Sequence, residues 1–362
     1  MKLNNLAVKT ERNKILIIGN LGYVGPVLVR HIRQRDQQAK IAGFDTGFFA
    51  NCCLDPYELS DQFLDLQIYG DVRNITLDQL QGYEFVVYLA AISNDPMGKA
   101  FEKATLEINK DSALQAAKMA KEGGARAFVF ASSCSVYGAG GNEAKSERSP
   151  LNPLTAYARS KIACEEALRA LASTEFQVSC LRFATACGAS PRLRLDLVLN
   201  DFVASAMLKG EIEILSDGSP LRPLIDVEEM CEAIYWAMNR DLSQSDPFLS
   251  LNVGFNDWNF TIKDLACEVK KEFPTAKVRI NSNAASDKRS YRVDFSLYRA
   301  LSGRGTSCKP IGTSIKQIAD VIERSGFRNT DFRESFLIRL NTVKQLQQRD
   351  HLSQSLWLNH QA

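Results

Sequence analysis

The sequence predicts an α/β protein built on a doubly wound parallel sheet, with a smaller, mostly C-terminal lobe. Apolar runs alternate with helical patterns through the first half of the chain, which is typical of a parallel sheet. These runs are rich in Ile, Val and Phe with little polar alternation, as expected for strands buried on both faces. After about residue 190 the segments become shorter and more varied, which indicates the second lobe.

The elements follow from hydrophobic periodicity. The predicted strands are Lys14–Ile18, Lys40–Asp45, Leu66–Tyr69, Phe85–Ala91, Ala127–Ser133 and Gln177–Ala184, with Leu249–Val253 returning late to the sheet. The predicted helices are Val24–Gln34, Lys103–Glu122 and Tyr157–Ala172. Apolar residues at helical spacing in Asp331–Gln348 predict a further helix, which we expect to pack on the protein's own body rather than on a partner.

Composition and charge exclude several classes of protein. A net charge of +2 gives no electrostatic case for nucleic-acid binding. The longest apolar runs are strand-sized, so we expect no membrane span, and the first ten residues lack the apolar region of a secretion signal. The nine cysteines form no Cys-x-x-Cys pair, which indicates reduced thiols and a cytoplasmic location. The three histidines form no metal site.

A glycine-rich turn follows the first strand directly. The run Gly19-Asn-Leu-Gly22-Tyr-Val-Gly25 precedes Pro26 and an amphipathic helix. The first glycine permits the tight turn, the second lets the backbone approach a pyrophosphate, and the third packs helix on strand. The helix start supplies free N–H groups and a partial positive charge. This context predicts a dinucleotide site in a Rossmann-type sheet.

Two acidic residues follow strands near this turn. Asp45 ends the second strand, where a carboxylate can bind the ribose hydroxyls and repel a 2′-phosphate. The expected cofactor is therefore NAD rather than NADP. Asp71 follows the third strand and either caps the adenine amino group or is a turn residue satisfied by the backbone.

Tyr157 and Lys161 are spaced four residues apart and share one face of a predicted helix. The ammonium is expected to lower the pKa of the Tyr157 phenol, which would suit it to take a proton from an alcohol. The fifth strand ends in serines, and a hydroxyl there faces the ligand crevice. Turn capping is the simpler interpretation for Ser132 and Ser135, and substrate contact is the favoured one for Ser133.

These motifs, in this order and spacing, resemble those of the extended short-chain dehydrogenases/reductases over roughly residues 14–300. Most members of that family act on nucleotide-diphosphate sugars. The resemblance implies that Ser133 is the triad hydroxyl and Tyr157 the base. It implies that Lys161 binds the nicotinamide ribose and tunes the tyrosine. It also implies that Leu89, Ala90 and Ala91 wall the adenosine.

The full set of expected contacts follows from the motifs and this resemblance. The expected cofactor contacts are Gly19, Leu21, Gly22, Tyr23, Val24, Gly25, Asp45, Asp71, Val72, Leu89, Ala90, Ala91, Ser132, Tyr157, Lys161 and Phe183. The expected substrate contacts are Ser93, Asn94, Ser133, Cys134, Ser135, Thr185, Asn200, Arg192, Arg222 and Arg292. Arg222 and Arg292 match arginines that meet the substrate diphosphate in the family, although surface arginines without a role are as common. Arg192 and Arg194 are weaker candidates.

Departures from the family pattern narrow the choice among the family's reactions. The 4,6-dehydratases carry an Asp-Glu pair after the triad hydroxyl, and Cys134 and Ser135 occupy those positions here. Neither side chain is a good general acid or base for elimination at neutral pH. Thr185 stands where asparagine is common in epimerases, which puts that substrate contact in doubt, and Asp226 stands where histidine is frequent.

The resulting hypothesis is an NAD-dependent epimerase of a nucleotide-diphosphate sugar, which oxidises the sugar transiently and returns the hydride. The alternatives are a dehydrogenase, keto-reductase or decarboxylase of the same family, or a catalytically silent dinucleotide-binding sensor. We expect an NAD-binding Rossmann domain over residues 1–190, to which strands near 220–255 return. An interleaved substrate-binding lobe over 191–345 and a tail over 346–362 would follow. Family analogy favours a homodimer.

Overall fold

The computed structural model describes residues 13–54, 59–139, 143–241, 246–281, 290–303 and 309–359. The first ten residues, whose composition was considered above, lie outside these ranges. The strands are β1 Lys14–Ile18, β2 Lys40–Asp45, β3 Leu66–Tyr69, β4 Phe85–Tyr88, β5 Ala127–Ser133, β6 Ala144–Lys145, β7 Gln177–Phe183, β8 Thr185–Cys187, β9 Glu211–Ile214, β10 Leu221–Asp226, β11 Phe248–Val253, β12 Asn259–Thr261, β13 Lys277–Ile280 and β14 Arg292–Val293.

The described residues form eleven α-helices. They are α1 Gly25–Arg35, α2 Asp95–Ala100, α3 Glu102–Leu106, α4 Ala113–Glu122, α5 Ala156–Arg169, α6 Val198–Lys209, α7 Val227–Met238, α8 Ile262–Glu272, α9 Ser296–Ser302, α10 Ile311–Arg324 and α11 Arg339–Gln348. None of the helices in the described ranges is long and apolar enough to cross a membrane.

The central sheet has seven parallel strands in the order β11-β7-β5-β4-β1-β2-β3. The order reverses between β1 and β4, so the predicted doubly wound α/β fold is confirmed. Strand alternation divides the core between the two faces. Ile15 and Ile17 of β1 pack in the cluster that contains α1 and α7 residues. Leu16 and Ile18 pack in the cluster that contains α4 and α5 residues.

The predicted strands begin where expected, except that β11 starts one residue earlier, and two of them end early. β4 stops at Tyr88 because the amides of Leu89 and Ala90 both donate to the Ile18 carbonyl, at 2.7 and 3.0 Å, where the chain turns off the sheet. The predicted helix Lys103–Glu122 is interrupted by a π-helical stretch, Glu107–Ser112. Such a stretch re-aims side chains and often marks a functional position.

The second lobe is built from three small sheets rather than an extension of the large one. Strand β10 was expected near the returning strands, but it pairs with β8 and β12 in a three-stranded sheet. The reason is that the chain leaves the central sheet directly after β7, and β8 then offers β10 a partner in the second lobe. Strand β11 does lie in the central sheet, beside β7.

The C-terminal segment packs on the body of the protein, which confirms the simpler interpretation of its helical pattern. Val343 of α11 and Leu356 beyond it are fully buried in the core. The Arg73 guanidinium lies 3.5 Å from the centre of the Trp357 ring and donates to the carbonyls of Ser355 and Leu356. The tail is thereby attached to the region around the third strand.

Candidate active site

A cavity of about 930 Å³ lies at the carboxyl ends of the central strands and extends into the second lobe. This position matches the crevice where open α/β sheets bind ligands. Most predicted site residues line it: Gly19, Gly22, Tyr23, Val24, Asp45, Asp71, Val72, Leu89, Ala90, Ala91, Ser93, Asn94, Ser132, Ser133, Ser135, Tyr157, Lys161, Phe183, Thr185 and Arg222.

The glycine turn is shaped by close backbone approaches. Gly19 has a φ of +89°, and a Cβ at that position would lie 2.4 Å from the Ala90 nitrogen. Gly22 lines the cavity, and the nearest atom to a Cβ added there is the Gly19 oxygen at 3.4 Å. A Cβ on Gly25 would lie 1.9 Å from the Asn20 oxygen, so this glycine packs the helix against the turn. Gly25 and Leu21, both expected cofactor contacts, do not line the cavity.

Asp45 stabilises the turn from the end of β2. Its carboxylate accepts the amide of Leu21 at 3.0 Å and the amide of Gly47 at 2.8 Å. Burial raises the pKa of Asp45, and these two hydrogen bonds act in the opposite direction. The side chain therefore orders the turn while also lining the cavity.

Asp71 has the backbone contacts of a turn residue. It caps the turn at Val72 by accepting the Arg73 amide at 2.9 Å, and it pairs with the Arg73 guanidinium at 2.6 Å. Asp71 and Val72 also line the cavity. Asp71 is thus a turn residue in the structure, and its contact with adenine stays a prediction.

The three triad residues line the same cavity as the glycine turn. Ser133 ends β5, while Tyr157 and Lys161 lie one turn apart on α5, which Thr155 caps by accepting the Ala158 amide at 3.1 Å. The Lys161 Nζ donates to the Ala131 carbonyl at 2.7 Å and lies 5.6 Å from the Tyr157 ring centre. The Ser133 hydroxyl lies close enough to the Tyr157 phenol to act on its pKa as a hydrogen-bond partner.

The serines at the end of β5 do not have the roles predicted for them: Ser133, rather than Ser132 or Ser135, caps the next turn. The Ser133 Oγ accepts the Ser135 amide at 3.1 Å. The Ser132 hydroxyl donates to Glu165 below the cavity. The Ser135 hydroxyl is buried and has no hydrogen-bond partner among the described residues, although the residue lines the cavity. An unpaired buried hydroxyl at this place is available to a ligand.

The predicted lowering of the Tyr157 pKa is wrong for this structure. Burial raises the pKa of Tyr157 to about 12, and the Ser133 hydrogen bond only partly opposes this rise. Burial also lowers the pKa of Lys161 to about 8. Removal from water disfavours the charged form of both groups, and that effect outweighs their mutual proximity.

We expect Lys161→Met to stabilise the fold. The pKa of Lys161 falls from 10.5 to about 8, and each unit corresponds to about 1.4 kcal/mol, so holding the charge costs about 3 kcal/mol. Methionine also loses the hydrogen bond to the Ala131 carbonyl, which reduces the gain in stability by about 1 kcal/mol. The unfolded chain binds this proton more tightly, so the cost is complete below about pH 8 and disappears above about pH 10.5.

Urea unfolding of both proteins at about pH 7 and about pH 10.5 measures this difference. The expected gain is about 2 kcal/mol at the lower pH, and it should disappear at the higher pH. A variant that is less stable than the wild type at neutral pH would show that Lys161 contributes to folding as well as to the site.

A buried ion pair lies beneath the triad and was missed in the sequence analysis. Glu165 of α5 accepts three hydrogen bonds from Arg182 of β7, at 3.1, 3.0 and 2.7 Å, and one from Ser250 at 2.8 Å. Arg182 also donates to the Tyr137 hydroxyl at 3.1 Å. The available signal was the spacing of Glu165, one helical turn after Lys161.

Asn109, in the π-helical stretch, was also missed. Its amide accepts the Ile92 N–H at 2.8 Å and donates to the Ile92 carbonyl at 3.0 Å. It also donates to the Ser160 hydroxyl at 3.2 Å. Asn109 therefore connects the loop after β4 to the helix that carries Tyr157. No local pattern in the sequence distinguishes it from a surface asparagine.

A buried polar cluster centred on Arg194 and Asp196 also lines the cavity, beside two of the expected substrate contacts, Ser93 and Asn94. Arg194 pairs with Asp196 at 2.8 Å and donates to the Ser93 hydroxyl at 2.9 Å, and Asn94 donates to Asp196 at 2.6 Å. Burial acts to raise the pKa of Asp196, but Arg194 outweighs it and the pKa is lowered. Arg194 is close enough to Tyr157 to affect its pKa.

Four predicted substrate contacts do not line the cavity. Arg192 is buried and pairs with Asp61 at 2.6 Å, so its neighbour Arg194 takes the place expected for it. Asn200 is bound to the Gly188 amide and the Arg194 carbonyl, at 3.1 and 2.9 Å.

The other two predicted substrate contacts that do not line the cavity are Cys134 and Arg292. The Cys134 thiol donates to the Arg182 carbonyl at 3.0 Å and is fully buried. Arg292 is exposed, whereas the residue before it, Tyr291, lines the cavity. Successive side chains of an extended segment point to opposite faces, so the prediction was displaced by one residue.

Comparison with known proteins agrees with this geometry. A sequence model of the NAD dependent epimerase/dehydratase family matches residues 15–254. UDP-glucuronic acid decarboxylase 1 of Arabidopsis thaliana is 28% identical over 302 residues, which cover 80% of this chain and 66% of that protein. The chain thus spans about two thirds of the length of this curated relative.

Solved structures share the fold at low sequence identity. The UDP-N-acetylglucosamine 4-epimerase of Methanobrevibacter ruminantium has a TM-score of 0.74 at 20% identity, covering 87% of this chain and 99% of the other. The UDP-glucuronic acid 4-epimerase of Bacillus cereus, solved with UDP-glucuronic acid and NAD, has a TM-score of 0.73 at 21% identity, covering 86% and 99%.

Proposed function

This chain belongs to the NAD-dependent epimerase/dehydratase family, and we propose that it epimerises a nucleotide-diphosphate sugar by transient oxidation. The expected cofactor, NAD, is the one named in the family's description. One observation carries the choice of reaction. Ser133, Tyr157 and Lys161 line one cavity, and positions 134 and 135 beside them carry no carboxylate.

The residues of the cavity fit a dinucleotide. A side chain would not fit at Gly19, and Gly22 lines the cavity. The backbone at the start of α1 is therefore exposed to the cavity in the way that a phosphate-binding turn requires. Asp45 would hold the adenosine ribose, Val72 and Ala90 would border the adenine, and Lys161 would hold the nicotinamide ribose. When bound, NAD supplies a reversible hydride acceptor.

The protein's own residues would manage the sugar proton. The Ser133 hydroxyl would position the reacting sugar hydroxyl, and the Tyr157 Oη would take its proton and later return it. With a pKa of about 12, Tyr157 is protonated at neutral pH in the structure. Base catalysis therefore requires positive charge near the phenol, and Lys161 and Arg194 are the protein cations placed to supply it.

Elimination of water is less well supported than epimerisation. A dehydratase needs a proton donor and a base beside the oxidised carbon, and Ser135 and Cys134 are poor in both roles. Burial raises the pKa of the Cys134 thiol well above its usual value. Asp196 lines the cavity, but its lowered pKa and its pair with Arg194 keep it ionised.

Decarboxylation of a sugar acid is the second candidate. The curated relative at 28% identity is a UDP-glucuronic acid decarboxylase. No carboxylate-binding group is evident from the sequence alone, but the structure brings the Arg194 guanidinium near Tyr157. Its charge is already matched by Asp196 at 2.8 Å, which favours a neutral sugar over a uronic acid.

Product analysis with deuterium-labelled substrates separates these reactions. The purified chain is incubated with UDP-hexoses and UDP-hexuronates that carry deuterium at the carbon to be oxidised. We expect an isomer of unchanged mass that retains the deuterium. A product that has lost CO₂ supports the decarboxylase, and net accumulation of NADH supports a dehydrogenase. The homodimer expected from the family resemblance stays a prediction.

A further inference from the structure

Arg339 is a buried arginine that lies outside the region matched by the family, and it is not among the site residues expected from the sequence. It is the first residue of α11, it is 2% exposed, and it lines the same cavity as the triad. The family match ends at residue 254. A side chain from the C-terminal segment thus enters the site formed by the first half of the chain.

The guanidinium of Arg339 is incompletely satisfied. Its Nη2 donates to the Arg192 carbonyl at 2.8 Å, but its Nη1 is buried and has no hydrogen-bond partner among the described residues. The Phe49 ring centre lies 5.0 Å away, and the Cys52 thiol is a weak neighbouring acceptor. A buried cation with a free N–H is costly unless an acceptor completes it.

The neighbouring carboxylates are already committed. Asp61 pairs bidentately with Arg192, and Asp196 pairs with Arg194. Neither makes an ion pair with Arg339 within the described ranges of the chain. Asp196 attracts the Arg339 charge without bonding its Nη1 within the described residues, which leaves that N–H available to an acceptor on a ligand in the cavity.

The position of Arg339 relates it to the glycine turn. The Tyr23 hydroxyl donates to the Gly188 carbonyl, and the Ser190 hydroxyl donates to the Tyr23 carbonyl, both at 2.7 Å. These bonds hold the segment 188–196 against the turn, and Arg339 binds that segment at Arg192. The guanidinium is thus held by the segment that packs on the expected phosphate cradle.

We propose that Arg339 binds a diphosphate in this cavity, and that this diphosphate is the pyrophosphate of the dinucleotide cofactor. The amides at the start of α1 would bind one side of the pyrophosphate. The Arg339 guanidinium, from the C-terminal segment, would neutralise part of its negative charge. The proposal rests on the proposed function in that the chain must bind NAD. The substrate also carries a diphosphate, so the test separates the two sources.

Calorimetric titration of the full chain, freed of copurified nucleotide, tests the proposal. The probes are NAD, ADP, adenosine and UDP, and the variants are Arg339→Gln and Arg339→Lys. Arg349→Gln is the matched control, because Arg349 is an exposed arginine at the end of the same helix. We expect Arg339→Gln to weaken NAD and ADP binding about 10-fold to 100-fold and to leave adenosine unchanged.

The remaining outcomes are equally informative. Arg339→Lys should retain part of the NAD affinity, because the charge is kept while the fork of N–H donors is lost. If Arg339→Gln lost affinity for UDP and kept its affinity for NAD, the cofactor assignment would be overturned, and Arg339 would instead bind the diphosphate of the substrate. Equal NAD affinity in wild type and Arg339→Gln overturns this proposal alone. A wild-type chain that binds neither NAD nor ADP overturns the proposed function as well.

Discussion

The Tyr157→Phe variant is expected to lose about 10²-fold to 10⁴-fold of its turnover of a nucleotide sugar, the range typical for a removed general acid or base. The phenol is a titratable group that lies close to Ser133, in the part of the cavity where we expect the nicotinamide. Phenylalanine fills the same volume, so the fold and the affinity for NAD should not change. Initial rates and NAD titrations measure the two effects separately.

Tyr291→Phe is the matched control for this substitution. Tyr291 lines the same cavity and is likewise buried, but it comes from the second lobe. Its loss is expected to change the Michaelis constant rather than the turnover number. If Tyr157→Phe kept full turnover, Tyr157 would not be the base. If the wild type bound NAD but turned over no sugar nucleotide, the silent sensor would become the better hypothesis.

The Glu165→Ala variant is expected to lose about 3–5 kcal/mol of stability, which is the usual cost of removing one partner of a buried ion pair. Glu165 and Arg182 are both more than nine-tenths buried, and five hydrogen bonds end on the carboxylate, three from Arg182 and one each from Ser132 and Ser250. Alanine would leave the Arg182 guanidinium without a counter-ion inside the sheet. Urea unfolding gives the change in free energy.

A double variant distinguishes the cost of the orphaned charge from that of lost packing. Glu165→Leu combined with Arg182→Met removes both charges and keeps much of the volume. We expect it to recover most of the stability that Glu165→Ala loses. A double variant as unstable as the single one would mean that the hydrogen bonds to Ser132 and Ser250 carry the stabilisation, rather than the charge balance.

Much of the cofactor end was predictable because its signals are local. A glycine with positive φ, a strand running into a helix and a carboxylate at the next strand end are consecutive in sequence, and the structure brings Gly19, Gly22 and Asp45 to one cavity. The Tyr157 and Lys161 spacing is local in the same sense. What the spacing could not predict was the sign of the Tyr157 pKa shift, because burial depends on the whole fold.

The substrate end was less predictable because it is assembled from distant segments. Arg192 and Arg194 are two residues apart and look equivalent in sequence, yet one is paired with Asp61 and the other lines the cavity. The same holds for Arg292 and its neighbour Tyr291. Which of two adjacent side chains faces a site depends on the direction of the backbone, which only packing sets.

The fold class, the strand segments of the central sheet and the family could all be read from the amino-acid sequence, because hydrophobic periodicity and short glycine and tyrosine motifs are local properties. The tertiary structure alone decided which polar groups are buried and unpaired. It placed Arg339, which follows Lys161 by well over a hundred residues, beside the same cavity. Contacts between such distant residues depend on chain packing, and no pattern within one segment of the sequence records them.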